Sequence, residues 1–188
     1  MTDLIPSLIR IGAIQFGQFE RHDYPGTFDP VSINLRYVPS YPPILKTLAA
    51  EVAPLVQIDG LTHLLTMPTA VPLGTAISLL REMPLVYPVA SEPHIIEGAY
   101  DANVPTVLLT DLLTNGEAEL AMVKRVRGMG LIVKAVVAVL DLNTTASAVD
   151  DLPLVTWQHF DSLLPELPHL TPSMRTVVER WLSGKTNL

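Results

Sequence analysis

A buried strand, an acid, a short polar turn and a helix start follow one another in residues 107–118, Val-Leu-Leu-Thr-Asp-Leu-Leu-Thr-Asn-Gly-Glu-Ala. The first N–H groups of a helix have no partner within it, and together with the helix dipole they attract anions. Thr114 and Asn115 add side-chain donors, and Gly116 lets the backbone approach a phosphate closely. Asp111, at the end of the strand, is placed to accept hydrogen bonds from sugar hydroxyls. The spacing by itself fits two interpretations: a site for a phosphorylated sugar, or an ordinary loop whose Thr114 or Asn115 only caps the helix.

Strands and helices that alternate along the chain must position this run. Unbroken apolar strands separated by helices are typical of a parallel sheet covered on both faces. The sequence therefore predicts an α/β fold with a doubly wound, mostly parallel sheet flanked by helices. Ligands bind such sheets beyond the carboxyl ends of the strands, so we expect functional residues directly after Leu65, Val89, Leu109 and Leu140. The core strands are predicted at 61–66, 85–89, 104–110 and 131–140, and the helices at 40–56, 73–81, 117–129, near 156–164 and 171–183.

The chain is expected to form a single domain of 188 residues. Residues 1–40 are predicted to hold a helix, a loop and a strand, at 4–16, 17–31 and 32–37. Residues 41–145 are expected to form the α/β core, and 150–188 to add C-terminal helices.

Composition excludes several classes of function. Hydrophobic residues make up 48% of the chain and charged residues 16%, which excludes intrinsic disorder. A net charge of −7 argues against nucleic-acid binding, and the lack of cysteine excludes disulfides and thiolate metal sites. Residues 61–80 carry no formal charge but include Pro68 and Pro72, so a membrane helix is not expected, and Asp3 argues against a signal peptide. We expect a soluble, cytoplasmic protein that hides part of its charge-poor surface in an oligomer.

The run 107–118 resembles the phosphoribosyl pyrophosphate (PRPP) motif of type I phosphoribosyltransferases: four apolar residues, two acids, two apolar residues and a Thr-Thr-Gly-like phosphate loop. Further segments, in the same order, are similar to the orotate phosphoribosyltransferase branch of that family. Together they cover roughly residues 12–142. The resemblance implies the type I fold with a small N-terminal hood-like region. The segments are Gly-Gln-Phe at 17–19, Asp-Pro-Val-Ser-Ile-Asn-Leu-Arg at 29–36, Ser-Tyr-Pro at 40–42 and Ile-Glu-Gly at 96–98.

The resemblance also implies roles for individual residues. Asp111 would hold the ribose hydroxyls of PRPP as the catalytic residue, with Thr110 beside it at the position of the family's first acid. Mg²⁺ would be bound mainly to PRPP itself, and the protein would be a homodimer with active sites near the interface. The 5′-phosphate would lie against Thr114, Asn115, Gly116, Glu117 and Ala118, and the pyrophosphate loop would be Thr66, Met67, Pro68 and Thr69.

Several positions depart from the family pattern. Thr110 replaces one of two ribose-binding carboxylates, and Leu142 stands where the family has an arginine that helps to hold orotate. Residues 88–95, where a mobile basic loop is expected, contain no lysine or arginine and only His94 as a remnant. Removing one preorganised donor from a transition-state site typically costs about 10²- to 10³-fold in rate. The family also has a basic residue near its early Leu-Lys-Ser-Gly segment, which is not clearly retained in this chain. Arg21 and His22 are the candidates to replace it.

Three functions are therefore compatible with the sequence. The first is transfer of phosphoribose from PRPP to a pyrimidine or related base, with release of pyrophosphate, in pyrimidine nucleotide synthesis or salvage. The second is a catalytically impaired regulatory or partner subunit that binds PRPP or a nucleotide phosphate. The third is a structural dimer without a phosphate ligand.

Overall fold

A computed structural model describes residues 4–21, 24–89, 92, 95–142, 148–167 and 170–185. The strands are β1 (Ile14–Glu20), β2 (Phe28–Ile33), β3 (His63–Thr66), β4 (Leu85–Pro88), β5 (Ile96–Glu97), β6 (Val104–Leu113), β7 (Leu131–Asp141), β8 (Ala148–Val149) and β9 (Leu152–His159). The α-helices are α1 (Leu4–Arg10), α2 (Pro42–Val56), α3 (Val71–Arg81), α4 (Glu117–Arg127), α5 (Phe160–Leu163) and α6 (Pro172–Lys185). Three 3-10 turns cover Leu35–Ser40, Pro68–Ala70 and Leu164–Glu166.

One large sheet organises the molecule. Its strand order is β5-β4-β3-β6-β7-β9-β8, with parallel pairing along β4-β3-β6-β7-β9 and an antiparallel strand at each edge. From β3 the chain runs outward to β4 and then returns to the other side of β3 to form β6. The order therefore reverses between β3 and β6, and such a switch point leaves a crevice beyond the carboxyl ends of the two strands. The predicted doubly wound, mostly parallel sheet is confirmed.

Helices cover both faces of this sheet. One face packs against α1, α2 and α3 through side chains such as Leu8, Val52 and Ile77. The other packs mainly against α4, through Met122, Val123 and Val126. Because successive side chains of a strand point to opposite faces, β6 supplies Val107 and Leu109 to the first core and Leu108 to the second. This burial on both faces explains the unbroken apolar runs in the sequence.

The N-terminal region differs from the prediction. The helix expected at 4–16 ends at Arg10, and most of the loop expected at 17–31 belongs to an antiparallel hairpin of β1 and β2. The strand expected at 32–37 ends at Ile33, where the Asn34 side chain accepts a hydrogen bond from the backbone N–H of Arg36 and starts a 3-10 turn. Cross-strand pairing, which a local reading of glycines and prolines misses, determines this hairpin.

The C-terminal region also differs in one element. The helix expected near 156–164 is a strand up to His159, and α5 begins only at Phe160. Val155, Thr156 and Trp157 favour extended structure, and β9 pairs in parallel with β7. Residues 150–188 therefore contribute a strand to the core sheet besides the expected helices. No helix among the described residues is long and apolar enough to cross a membrane.

Candidate functional site at the carboxyl edge of the sheet

The crevice at the switch point brings together the two segments that the sequence places in one site. The backbone N–H of Met67, just after β3, donates to the carbonyl of Leu109 in β6 (2.8 Å). The hydroxyl of Thr69 donates to Oδ1 of Asp111 (2.6 Å), although the residues are 42 positions apart. The expected pyrophosphate loop and the expected ribose-binding acid are therefore in direct contact. Pro68 begins the 3-10 turn that carries Thr69.

Thr66, at the end of β3, packs inside the protein and is not exposed to a ligand. Its side chain is fully buried, and no described residue makes a hydrogen bond to its Oγ1. Its Cγ2 methyl lies so close to Gly74 in α3 that a Cβ at Gly74 would overlap it. Glycine at this position lets α3 pack directly on the strand, which holds the loop at residues 67–69 against the sheet.

Thr110 and Asp111 lie among the last four residues of β6. This strand extends three residues further than predicted, to Leu113. Asp111 is half-buried and faces the Thr69 side, whereas Thr110 is buried and faces α4. The Thr110 hydroxyl donates to Oε1 of Glu119 at 2.7 Å. The two neighbouring side chains thus connect the end of β6 to the loop with Thr69 on one face of the sheet and to α4 on the other.

Glu119 is a functional candidate that the sequence analysis missed. It is 4% exposed, in the first turns of α4. Burial raises the pKa of its carboxyl above the ordinary 4.5, the Thr110 hydrogen bond opposes this, and the negative charges of Asp111 and Asp141 raise the pKa further. The available signal was helical spacing, since Glu119 precedes the buried Val123 and Val126 by four and seven positions.

Asp141 brings a further carboxylate to this edge. It ends β7 and is 1% exposed, and its Oδ2 lies 3.5 Å from Nδ1 of His159 at the end of β9. The negative charges of Asp111 and Asp141 both act on the Glu119 carboxyl, so the three acids lie close together at this edge. No group of three or more metal-ligating side chains forms within the described part of the chain.

The expected phosphate loop forms the start of α4. Gly116 is the N-cap, with a φ of 77° in the left-handed region that glycine adopts without strain. The Asn115 side chain accepts a hydrogen bond from the backbone N–H of Glu117 (3.2 Å), so part of the expected capping is present. Thr114, Asn115, Glu117 and Ala118 are exposed, which leaves the loop accessible. Glu117 and Glu119 in this first turn already interact favourably with the helix dipole.

A cleft of about 710 Å³ adjoins this loop, between the β1–β2 hairpin, the ends of β6 and β7, and α6. Thr114 lines one part, and Leu142 lines the wall beyond β7. The indole N–H of Trp181 in α6 donates to Oδ1 of Asp29 in β2 at 2.6 Å, which ties the hairpin to the C-terminal helix. Both side chains line the cleft, as does Arg21. The cleft therefore lies directly beside the expected phosphate loop.

Lysine and arginine are sparse at this edge. The sequence holds twelve such residues, and none lies within 47–80, 82–123 or 135–174, the spans that contain the carboxyl ends of β3, β4, β6, β7 and β9. Arg21, predicted as a possible replacement for a basic residue, is placed in the cleft. The other candidates, His22 and His94, lie outside the described residues.

The fold and the site together define a chain with the type I phosphoribosyltransferase architecture. Orotate phosphoribosyltransferase of Chlamydia caviae is 30% identical over 145 residues, which are 73% of this chain and 69% of that protein. Orotate phosphoribosyltransferase of Caenorhabditis elegans is 25% identical over 177 residues, 88% of this chain and 77% of that protein. The chain belongs to the orotate phosphoribosyltransferase family.

Solved structures agree with this assignment. The structure of Leishmania donovani UMP synthase matches 97% of this chain with a TM-score of 0.85 and 26% identity, and this chain spans 42% of that longer protein. Orotate phosphoribosyltransferase of Francisella tularensis matches the fold over 97% of this chain and 98% of its own, with a TM-score of 0.73 and 20% identity. No protein-family model matches the chain.

Proposed function

We propose that the chain transfers the phosphoribosyl group of PRPP to a pyrimidine or related base and releases pyrophosphate, as a step of pyrimidine nucleotide synthesis or salvage. The observation that carries the proposal is the contact between Thr69 and Asp111 across the switch point. It places the two loops expected to hold the pyrophosphate and the ribose side by side. Family membership supports the same reaction.

In this reaction the bond between C1 of the ribose and the pyrophosphate oxygen breaks, and a bond from C1 to a base nitrogen forms. Pyrophosphate leaves with the electron pair, and the base nitrogen loses its proton. Asp111 would accept hydrogen bonds from the ribose hydroxyls while Thr69 holds its carboxylate in place. Residues 114–118 would hold the 5′-phosphate through backbone N–H groups, and residues 66–69 would face the leaving pyrophosphate.

Mg²⁺ would accompany PRPP in this site. A buried or half-buried set of carboxylates, Asp111, Glu119 and Asp141, repels a polyanion that arrives alone. Mg²⁺ suits oxygen donors and commonly binds through one or two carboxylates together with substrate phosphates. Mg²⁺ would be held mainly by PRPP itself, as the family resemblance implies, and would neutralise part of the pyrophosphate charge.

The second candidate is a regulatory or partner subunit that binds PRPP or a nucleotide phosphate without turnover. The absence of lysine and arginine from residues 82–123 favours it, because a departing pyrophosphate needs positive charge. A homodimer could supply that charge from its partner copy. We include a cytoplasmic homodimer in the proposal, supported by the charge-poor composition of the chain.

Calorimetric titration with Mg²⁺-PRPP tests both candidates, followed by an assay of pyrophosphate release with added bases. Binding should weaken about 10- to 100-fold in Asp111→Asn, because hydrogen bonds to a charged group are lost. The matched control is Asp59→Asn, an exposed acid between α2 and β3, whose affinity should not change. Pyrophosphate release that requires both PRPP and a base supports the transferase; binding without release supports the subunit. Lack of PRPP binding at millimolar concentration contradicts both.

A further inference from the structure

A side-chain hydrogen bond joins the end of β6 to the start of α4. The hydroxyl of Thr110 donates to Oε1 of Glu119 at 2.7 Å, across nine positions of the chain. A hydroxyl has one hydrogen to donate, and the carbonyl of Leu112 is 3.5 Å away, so the shorter contact with Glu119 fixes the Thr110 side chain. Both side chains are almost fully buried.

This hydrogen bond closes the segment that is expected to hold a sugar phosphate. Asp111 follows Thr110 directly, and the expected phosphate loop, residues 114–118, ends directly before Glu119. The Thr110–Glu119 bond thus joins the two ends of this segment at its base. Because both bonded residues are buried on the α4 side of the sheet, they are placed to act on the segment and not on a ligand.

Glu119 is the polar residue on an otherwise apolar buried face. The other buried residues of α4 are Met122, Val123 and Val126, which pack against the sheet. Apolar contacts are non-directional, so they define the position of a helix along the sheet less sharply than a hydrogen bond, which weakens steeply with angle and distance. The Thr110–Glu119 bond therefore defines where the first turn of α4 lies relative to the end of β6.

A carboxyl is an unfavourable choice for this position if stability alone matters. Burial and the charges of Asp111 and Asp141 raise the pKa of Glu119. A leucine or methionine has a similar helix propensity and would fill the position without burying a titratable group. Buried polar groups that lower stability are best known for fixing how two elements align. Glu119 supplies such a directional contact between β6 and α4.

We propose that Glu119 is a positioning residue for the sugar phosphate: through Thr110 it sets the distance between Asp111 and the phosphate loop. The inference rests on the proposed function, which assigns the ribose hydroxyls to Asp111 and the 5′-phosphate to residues 114–118. The bonds of PRPP fix the separation of these two groups, so the protein must hold its two subsites at the matching spacing. A misplacement of about 1 Å can cost about 100-fold in such a site.

Calorimetric titration with Mg²⁺-PRPP tests the proposal. Glu119→Ala should weaken binding about tenfold or more, because the spacing is no longer fixed. Glu119→Gln keeps a carbonyl oxygen that accepts from Thr110, so it should restore most of the affinity lost in Glu119→Ala.

Val126→Ala is the matched control, because it truncates another buried side chain of α4 two turns further along. It should lower Tm yet leave the affinity for Mg²⁺-PRPP unchanged. An equal loss of affinity in Val126→Ala and Glu119→Ala overturns the inference, since general loosening of α4 would then explain both. A Glu119→Gln protein that binds as weakly as Glu119→Ala also overturns it.

The donor provides an independent test. Thr110→Val removes the hydroxyl but keeps a β-branched side chain of similar shape, and it should weaken binding as much as Glu119→Ala does. The double variant should lose no more than about threefold beyond either single variant, because all three lack the same bond. Losses that multiply overturn the inference. If circular dichroism shows that Glu119→Ala does not fold, the comparison of Thr110→Val with Val126→Ala decides by the same criterion.

The wild-type titration separates this inference from the function on which it rests. A wild-type protein that does not bind Mg²⁺-PRPP contradicts the proposed function, and the inference is overturned with it. Wild-type binding together with unchanged affinity in a folded Glu119→Ala protein overturns the inference alone. Wild-type binding with a loss that Glu119→Gln reverses and Val126→Ala does not show supports the positioning role.

Discussion

Replacing Glu119 by glutamine should change how the stability of the protein depends on pH. Burial and the neighbouring acids Asp111 and Asp141 raise the pKa of Glu119 above its ordinary 4.5. The folded protein therefore holds this proton more tightly than the unfolded chain. Below the ordinary pKa the carboxyl is protonated in both states and its contribution to stability is fully present. As the pH rises from there through the raised pKa, that contribution is lost.

The magnitude follows from proton linkage. Within this window, the free energy of unfolding falls by at most about 1.4 kcal/mol per pH unit for one group. A glutamine has the same shape and accepts a hydrogen bond from Thr110 through its carbonyl, but it does not titrate. The difference in stability between Glu119→Gln and wild type should therefore grow in favour of the variant as the pH rises, then level off above the raised pKa. For a chain of this length, each kcal/mol corresponds to about 2–4 °C in Tm.

Urea unfolding of both proteins, at steps from about pH 4 to pH 8, measures the difference directly and cancels the titration of other groups. Asp59→Asn removes an exposed acid and serves as the control. Its difference in free energy of unfolding from wild type should not grow in favour of the variant as the pH rises. Thr110→Val removes the hydroxyl that lowers the pKa of Glu119, so its destabilisation should increase with pH. A Glu119→Gln difference that is flat with pH, or that favours wild type increasingly at high pH, would refute the reasoning.

Three further predictions concern the site. Gly74→Ala should destabilise the fold by about 1–3 kcal/mol through overlap with the Thr66 methyl, and adding Thr66→Ser, which removes that methyl, should restore most of the loss in thermal unfolding. Asp111→Asn should weaken Mg²⁺-PRPP binding in calorimetry while leaving Tm within about 2 °C, because its hydrogen bond to Thr69 is exposed. Asn115→Ala should cost about 0.5–1 kcal/mol of stability in urea by removing the acceptor for the Glu117 N–H, and an unchanged stability would contradict a stabilising role of this hydrogen bond.

The core of the fold was predictable because its signals are local. Strands buried on both faces give apolar runs, and the helix at α4 has regular spacing and charged residues on its outer face. The β1–β2 hairpin was not predictable in this way. Its two strands contain Gly17 and Pro30, and their pairing, for example Ile14 opposite Ile33, joins residues 19 positions apart. For β9 the local signal of Val155, Thr156 and Trp157 was available, and the parallel pairing with β7 adds to it.

The contact between two of the predicted segments could be expected from the sequence, but the charge around them could not. The family pattern and the rule for parallel sheets both indicated residues 66–69 and 110–118, and the structure brings Thr69 of the first segment into contact with Asp111 of the second. The burial of Glu119 was not predicted, because an acid in the first turn of a helix is normally exposed. The contact between Asp29 and Trp181 was also missed, since it depends on how α6 packs on the hairpin. The roles of the individual site residues stay predictions.

The hydrogen bonds at the switch point explain how such an edge keeps its shape without lysine and arginine. Asp111 is held by Thr69 from one face of the sheet, and Thr110 is held to Glu119 on the other. Both contacts use hydroxyl donors, which orient a carboxylate without neutralising its charge. The edge is therefore preorganised yet acidic, and Mg²⁺ bound to PRPP would offset part of the repulsion that a phosphate ligand meets there.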